Sequence, residues 1–291
     1  MALLPFKTTV VILTRNEGPR LARAVRGVLA QTTTDPFELL VVDSSSTDGS
    51  LTCLEGTPAR KLIIPADSFS HGTTRNIAVQ AARGAYVAFI VADAAPVGRH
   101  WLQPLVDALD QFPDAAGAYG RQRAWPNADP ALRRRTEAWT PPGPRPVVKR
   151  MDSPDAFERL PPLERIRLAA FDNVNSIVRR SEVLEHPFPA VPFGEDILWG
   201  RDRLRAGRAL VYVPAAEVWH SHRRSPRDHL LRARVEHALL AREFGLLAVP
   251  SLTRLALLAA GAIRSAPRDG WTATSRQLAE LTGQYLAGRT R

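Results

Sequence analysis

The chain is arranged around a run of apolar residues that ends in a carboxylate, at residues 85–96 (AYVAFIVADAAP). Residues 86–91 show no polar alternation, which is typical of a strand buried on both faces of a parallel sheet. Asp93 follows directly. In open α/β sheets, ligands bind beyond the carboxyl ends of the strands, where a carboxylate is useful rather than costly. The alternative interpretation of Asp93 is a helix cap or a turn.

Strand-like and helix-like patterns alternate along the first 120 residues. The predicted strands cover residues 9–13, 38–42, 61–64, 85–93 and 117–119, and the predicted helices cover residues 21–31, 73–83 and 101–109. Strands that alternate with helices form a mostly parallel sheet with helices on its faces. We therefore expect an α/β fold.

The pattern changes after this regular half. Residues 123–162 are rich in proline and arginine, which predicts a long irregular insert over the mouth of the sheet that is mobile without ligand. Strands are predicted again at residues 171–179, 209–213 and 217–222, with a helix at 194–206. Everything after Pro226 has a helical pattern. We expect a domain at residues 1–225 and a helical extension at 226–291.

The charge balance is strongly basic, with a net charge of +10. Only three of the 39 basic residues are lysines, namely Lys7, Lys61 and Lys149. Arginine suits diphosphates, lipid headgroups and nucleic acid alike, and an arginine-rich genome gives the same bias. A nucleic-acid-binding protein clusters basic residues among stacking aromatic side chains. Here the arginines are dispersed and the aromatic residues lie in predicted strands, so no nucleic-acid partner is expected.

Several features bear on the compartment. A single cysteine, Cys53, excludes an internal disulfide and a thiolate zinc cluster and fits a reducing compartment. The N-terminal sequence lacks a signal-peptide pattern and no apolar run reaches about 18 residues, so we expect a cytoplasmic protein without a membrane span. Residues 246–263 are strongly apolar, and Arg264 and Arg268 follow them. This segment predicts a helix that packs on the catalytic domain or lies on an anionic membrane surface.

Eight short segments carry a more specific signal. They are VVILTRNE (10–17), VVDSSSTDGS (41–50), FSHGTTRNIAVQAARG (69–84), FIVADAAP (89–96), YGRQ (119–122), FDNVNSIVRR (171–180), PFGEDILW (192–199) and VWHSH (218–222). In this order the segments resemble glycosyltransferase family 2, and most closely its rhamnosyltransferase-type members. The resemblance implies the GT-A fold, a Rossmann-like, mostly parallel sheet flanked by helices. It also implies inverting transfer of a sugar from a nucleoside-diphosphate sugar, either dTDP-rhamnose or a UDP-sugar, to a glycan or lipid-linked acceptor.

The resemblance assigns the donor nucleotide to the ends of the first two strands. It implies that Thr14, Arg15 and Glu17 on the first loop and Asp43 on the second bind the base and ribose. A carboxylate can accept the imide N–H of uracil or thymine. Arg75 would reach the diphosphate. The alternatives are a helix start for the first three residues, a turn for Asp43 and a solvated helix face for Arg75.

The resemblance also implies a divalent metal, Mn²⁺ or Mg²⁺. Asp93 is the implied ligand and Ala92 lies beside it in the donor site, but Val91 replaces the first aspartate of the family's DxD motif. His220 and His222 are two residues apart on a predicted strand, so both point to one face. His220 is the expected ligand, and His222 is expected at the metal or near the phosphates. The alternative is two surface histidines at a strand end.

Catalysis and acceptor binding are assigned to the later segments. The resemblance implies that Asp196 is the catalytic base and that Glu195 orients its loop; an acidic first helical turn is the alternative. Five residues are candidates for contact with the acceptor or sugar: Arg121, Gln122, Asn173, Asn175 and Trp199. Turns, a satisfied strand edge and a core tryptophan are the alternatives for these positions.

Two other enzymatic interpretations compete with this one. A sugar-phosphate nucleotidyltransferase shares the sheet topology, but it requires a glycine-rich loop with a basic residue after the first strand, which LTRNEGPR (13–20) lacks. A catalytically weak nucleotide-sugar-binding relative is the second alternative, because Val91 removes one carboxylate from the metal site.

Overall fold

The computed structural model describes residues 6–222 and 224–289, with only the backbone of residues 267–269. Nine strands in this part of the chain form one sheet. They are β1 (Thr8–Thr14), β2 (Phe37–Asp43), β3 (Arg60–Ile63), β4 (Tyr86–Val91), β5 (Ala95–Pro96), β6 (Ala115–Arg123), β7 (Val147–Lys149), β8 (Asn175–Arg179) and β9 (Ala209–Trp219). The spatial order is β3-β2-β1-β4-β8-β6-β9-β5, with β7 paired to β9.

The sheet is mixed, and most of its long strands run in one direction. β1 pairs in parallel with β2 and β4, β2 with β3, and β6 with β9. β8 runs antiparallel between β4 and β6. The carboxyl ends of β1, β2, β4, β6 and β9 therefore lie at the same edge of the sheet. The mostly parallel α/β sheet expected from the sequence is confirmed.

Helices cover both faces of the sheet. They are α1 (Pro19–Leu29), α2 (His71–Ala81), α3 (Leu102–Gln111), α4 (Pro130–Trp139), α5 (Pro154–Glu158), α6 (Pro162–Ala169), α7 (Arg180–Glu185), α8 (Glu195–Arg205), α9 (Pro226–Phe244), α10 (Leu252–Asp269) and α11 (Trp271–Ala287). Val10 and Ile12 of β1 face one buried apolar cluster, which includes α1 and α3. Val11, between them, faces a second cluster that includes α8 and α9. This alternation is the two-residue period of a strand buried on both faces.

The insert at residues 123–162 is more regular than its composition predicts. It contains α4, β7 and α5 and ends where α6 begins. Pro130 and Pro154 stand in the first turns of their helices, after the caps Asp129 and Ser153. Proline is favoured there because its missing N–H is not needed and its φ is already helical. The sequence interpretation took these prolines as loop signals, and this was wrong.

β9 also differs from expectation, because it is one strand where two were predicted. A register shift against β6 between Gly120 and Arg121 lets the strand continue as far as Trp219. A Cβ at Gly120 would lie 2.2 Å from the carbonyl oxygen of Ala216, so the close approach at this bulge requires glycine.

The C-terminal helices pack on one another and on the sheet domain. α9 begins with a capping box formed by Ser225 and Asp228, and its end contributes Phe244 to the second apolar cluster. α10 leaves Leu257 and Ile263 exposed on its outer face. The side chain of Arg268 lies outside the described residues. Among the helices described here, none combines the length and the apolar character that crossing a bilayer demands.

Candidate active site

Three of the predicted residues meet at the carboxyl edge of the sheet. Asp93 follows β4, and His220 and His222 follow β9; one ligand atom from each lies within 4.8 Å of the others. The short strand β5 explains the meeting, because its Ala95 pairs with Trp219. His220 Nε2 is 3.6 Å from Asp93 Oδ1, and His222 Nδ1 is 3.4 Å from Asp93 Oδ2.

The chemistry of these three side chains fits a divalent cation. Burial lowers the pKa of His220 to about 4 and also lowers the pKa of His222, so both imidazoles are neutral at pH 7. A neutral imidazole offers a nitrogen lone pair, and a carboxylate together with imidazoles is a donor set that suits Mn²⁺. The expected grouping of Asp93, His220 and His222 is present in the structure.

The loops after β1 and β2 are fastened to each other at this edge. The backbone N–H of Asn16 donates to Ser46 Oγ, and the N–H of Thr47 donates to Asn16 Oδ1; both hydrogen bonds are 2.8 Å long. Asn16 and Ser45 have positive φ angles of 53° and 56°. Backbone strain of this kind persists where the surrounding structure enforces it, and it concentrates at functional sites. Sequence reasoning missed Asn16, although the turn-rich segment that it contacts was noted.

The residues assigned to the nucleotide lie along these two loops. Asp43 is buried and accepts hydrogen bonds from the Ser46 N–H (2.9 Å) and hydroxyl (2.5 Å). Thr14 is buried, and its hydroxyl has no hydrogen-bond partner among the described residues. Arg15 is exposed. Thr14 pairs with Asp43 at the carboxyl ends of β1 and β2, so these two residues and Arg15 lie at one edge of the sheet.

Glu17 and Ala92 flank the metal-ligand cluster. Burial and the negative charge of Asp93 raise the pKa of Glu17, so the two carboxylates lie close enough to repel each other. Ala92 is buried. A cavity of about 610 Å³ opens against Asp93 and is lined on its other sides by Arg20 and Arg224, among others. This side of the cluster therefore carries positive charge suited to an anion.

The predicted catalytic carboxylates begin helix α8. Gly194 precedes them with a φ of +79°, a left-handed conformation that favours glycine. Asp196 Oδ2 accepts a hydrogen bond of 3.2 Å from the backbone N–H of Asn173. Burial and the negative charges of Glu195 and Asp172 raise the pKa of Asp196 to about 8. A carboxyl group with such a pKa is largely protonated at pH 7 and becomes a carboxylate as the pH rises past 8.

Arg75 lies elsewhere than the sequence suggested. Its guanidinium forms an ion pair of 2.9 Å with Glu195, and the two side chains are only 5% and 7% exposed. Arg75 also donates to the carbonyl oxygen of His71 and packs over the ring of Phe89. The expected contact with a diphosphate is corrected accordingly, because burial and the ion pair hold Arg75 against Glu195.

With this geometry established, comparisons with known proteins identify the family. The family described as Glycosyl transferase family 2 matches residues 9–174. The chain belongs to this family. It is 27% identical over 232 residues to the O-antigen chain rhamnosyltransferase WbaN of Salmonella anatum, covering 77% of this chain and 69% of WbaN. It is 29% identical over 231 residues to RfbN of Salmonella typhimurium, also an O-antigen chain rhamnosyltransferase, covering 78% and 70%.

Solved structures support the same fold. A mannosyltransferase from Pyrobaculum calidifontis, PcManGT, in complex with GDP-Man and Mn²⁺, superposes with a TM-score of 0.63 at 18% identity, covering 97% of this chain and 87% of that one. Staphylococcus aureus TarS 1–349 in complex with UDP-GlcNAc gives a TM-score of 0.54 at 17% identity, covering 90% and 73%. The GT-A fold is confirmed, and the protein is a glycosyltransferase.

Two residues that were candidates for the acceptor side of this glycosyltransferase belong to its interior. Asn175 is fully buried. It donates to the carbonyl oxygen of Ala216 and accepts from Trp101 Nε1, and both hydrogen bonds are 2.7 Å long. Trp199 is 2% exposed and donates to the carbonyl oxygen of His186. Their expected contact with a sugar is therefore wrong, since a sequence does not distinguish an amide or indole that binds a ligand from one that satisfies the core.

The other three acceptor candidates also make internal contacts. Arg121 forms an ion pair of 2.5 Å with Glu217. Asn173 is buried, and its side-chain amide lies 3.4 Å from Glu195. The side-chain amide of Gln122 contacts His220 and Asp172. A second cavity of about 500 Å³ lies between α4 of the insert and helices α9 to α11, and His222 lines both this cavity and the one at Asp93.

Proposed function

We propose that this glycosyltransferase is an inverting, metal-dependent enzyme that transfers a sugar from a nucleoside-diphosphate sugar to a hydroxyl group. The observation that carries the proposal is the convergence of Asp93, His220 and His222 at the same sheet edge as Asp43 and Thr14. The relatives named as rhamnosyltransferases make dTDP-rhamnose the first donor to test, followed by UDP-sugars.

On the donor side, the loops after β1 and β2 bind the base and ribose through Thr14, Arg15, Glu17 and Asp43. The diphosphate lies against Ala92 and Asp93, in the cavity lined by Arg20, Arg23 and Arg224. These arginines take the role first expected of Arg75, because Arg75 is held in its ion pair with Glu195.

Asp93, His220 and His222 would hold Mn²⁺ or Mg²⁺. Such a cation would supply positive charge to offset the charge that develops on the departing nucleoside diphosphate. In its ionised form Asp196 accepts the proton of the attacking hydroxyl; its raised pKa makes the carboxylate a stronger base and requires a pH near 8 for it to form. A single displacement on the face opposite the leaving group inverts the anomeric centre. Arg75 and Glu195 position the start of α8 and so the base.

The acceptor, a glycan or a lipid-linked glycan, enters from the insert side. The cavity of about 500 Å³ near His222 suits it, because arginine, glutamine and carboxylate side chains alternate there with apolar ones. α10 exposes Leu257, Ile263 and Arg264 on the same C-terminal unit. We propose that this face lies on an anionic membrane surface in the cytoplasm, and that residues 226–291 form an extension of a catalytic domain at 1–225.

The test is hydrolysis and binding of donor sugars. Thermal shift with dTDP-rhamnose, UDP-sugars and GDP-mannose, each with Mn²⁺, identifies the donor, because a ligand that binds only the folded state raises its stability. Hydrolysis of that donor should stop with chelator and in Asp93→Ala, while Asp155→Ala on exposed α5 stays active. Full activity of Asp93→Ala with chelator present would refute the metal centre.

Two alternatives have distinct outcomes in the same assays. A sugar-phosphate nucleotidyltransferase would form a nucleotide sugar from a nucleoside triphosphate and a sugar phosphate and release diphosphate. A catalytically weak relative, the interpretation that Val91 invites, would bind a nucleotide sugar with no hydrolysis above the Asp93→Ala background.

A further inference from the structure

Gln122 stands behind one of the metal ligands, not in a position to meet the acceptor. It lies near the end of β6, and its side-chain amide bridges two groups. Gln122 Oε1 is 2.7 Å from His220 Nδ1, and Gln122 Nε2 donates to the carboxylate of Asp172. His220 therefore contacts Gln122 through one ring nitrogen and faces Asp93 with the other.

The contacts of Asp172 agree with the way the amide of Gln122 points. Asp172 Oδ1 accepts from the backbone N–H of Val174 at 3.0 Å, and Oδ2 accepts from Trp139 Nε1 at 3.2 Å. Both partners are donors only, so both oxygens of Asp172 act as acceptors. The amide of Gln122 likewise donates its NH₂ group to Asp172 and directs its oxygen at His220.

This orientation selects one tautomer of His220. An amide oxygen only accepts, so the nitrogen that faces it, Nδ1, must carry the ring proton. A neutral imidazole has one ring proton, and Nε2 is left with a lone pair directed at Asp93. The other tautomer would carry its proton on Nε2, which lies 3.6 Å from Asp93 Oδ1, and would leave that nitrogen without a lone pair for a cation.

His222 has no such partner. Its Nδ1 lies 3.4 Å from Asp93 Oδ2, and its ring makes no hydrogen bond within residues 6–222 and 224–289. Within the described residues no hydrogen bond selects its tautomer, so the two histidines differ in how their ring nitrogens are prepared for a cation.

We propose that Gln122, itself held by Asp172, is a positioning residue that fixes the Nδ1–H tautomer of His220 and thereby presents Nε2 to the divalent cation. The inference rests on the metal centre of the proposed function and adds two residues to it. Partners of this kind, which orient a metal-bound histidine through its other nitrogen, support metal affinity by about 10- to 100-fold.

The first experiment reads the tautomer without metal or activity. Long-range ¹H–¹⁵N correlation spectra of the metal-free protein, with His220 assigned through His220→Gln, should show the proton on Nδ1. Gln122→Met should move the proton wholly or partly to Nε2. A wild-type His220 protonated on Nε2, or a spectrum unchanged in Gln122→Met, overturns the proposal.

The second experiment measures Mn²⁺ binding by calorimetry with no donor present. Gln122→Met should weaken binding by about 10- to 100-fold, and Gln80→Met on the exposed face of α2 should leave it unchanged. If Gln122→Met is folded, with an unchanged circular dichroism spectrum, and binds Mn²⁺ as tightly as wild type, the positioning role is wrong.

A rescue separates positioning from general damage. In the double variant Gln122→Glu with Asp172→Asn, the new carboxylate still accepts from His220 Nδ1 and the new amide donates to it. Most of the Mn²⁺ affinity should return relative to Gln122→Met, and Trp139→Phe measures the cost of the indole hydrogen bond lost at the same carboxylate. If the double variant loses more Mn²⁺ affinity relative to wild type than Trp139→Phe does, the result counts against the proposal. If wild type binds no Mn²⁺, the metal centre fails, and the tautomer spectrum still decides the role of Gln122.

Discussion

The protonation of Asp196 offers the sharpest test of the catalytic assignment. The carboxyl groups of Asp196 and Glu195 are bridged by Asn173, whose backbone N–H donates to one (3.2 Å) and whose side-chain amide lies 3.4 Å from the other. Burial is the largest cause of the raised pKa of Asp196, followed by the charge of Glu195 and then that of Asp172. Removing the charge of Glu195 should therefore lower the pKa more than removing that of Asp172.

The size of the effect follows from Coulomb's law. A unit charge about 7 Å away, at an effective dielectric constant of about 20, contributes about 2.4 kcal/mol, or about 1.7 pH units. The charge of Arg75 lowers the pKa of Asp196 already in wild type and is unchanged in Glu195→Gln, so the difference between the two reports the charge of Glu195. We expect the midpoint of Asp196, near pH 8 in wild type, to fall by between one and two units in Glu195→Gln, and by less in Asp172→Asn.

Two measurements check this expectation. Carboxyl ¹³C spectra of the metal-free protein, with Asp196 assigned through Asp196→Asn, follow its titration directly. Donor hydrolysis, with water in place of the acceptor, should rise with pH, because only the ionised carboxylate accepts a proton, and its midpoint should fall in Glu195→Gln as that of the carboxyl group does. Glu185→Gln, on the exposed end of α7, should leave both curves unchanged. A wild-type midpoint below about pH 5, or no shift in a folded Glu195→Gln variant, would refute the electrostatic argument.

Three further outcomes follow from the structure. Arg75→Met leaves Glu195 buried without its partner and should lower the free energy of unfolding in urea by about 3–5 kcal/mol; a loss below 1 kcal/mol would show that the pair is solvated. The folded pKa of Asp196 lies above its unfolded value, so wild type should lose stability as pH rises from about 4 to 8. Asp196→Asn should lose less stability over that range. If the urea midpoints of the two proteins change with pH by the same amount, the raised pKa is contradicted. Arg276→Ala removes the 2.9 Å ion pair to Asp129 that ties the insert to α11; trypsin should cut residues 123–162 faster than in wild type, and an equal rate would mean that the pair does not hold the insert.

The sequence was most informative where local pattern and topology coincide. The apolar run 86–91 followed by Asp93 indicated both a buried strand and the edge at which a carboxylate is useful, and the spacing of His220 and His222 indicated one shared face. The antiparallel pairing of β5 with β9, which brings the three residues together, involves a two-residue strand. Such a short element leaves no periodic signal in a sequence.

The errors have a common physical origin. Asn175, Trp199 and Arg75 are polar or amphipathic residues in segments that resemble a known family. Each binds a partner distant in sequence: Asn175 binds Ala216, Trp199 binds His186 and Arg75 binds Glu195. Buried polar groups require such partners, but the partner is chosen by tertiary packing. A motif therefore marks that a residue is constrained and does not reveal whether a ligand or the protein interior imposes the constraint.

Asp172 shows how closely the two halves of the site are joined. Its carboxylate orients Gln122 and through it His220, while its negative charge helps to raise the pKa of Asp196. The metal ligand and the base thus depend on one buried acid between them. A change at Asp172 must act on both, in metal affinity through hydrogen bonding and in the pH profile through charge. Because Gln122→Met removes the first effect and keeps the charge of Asp172, comparing the two variants separates the contributions.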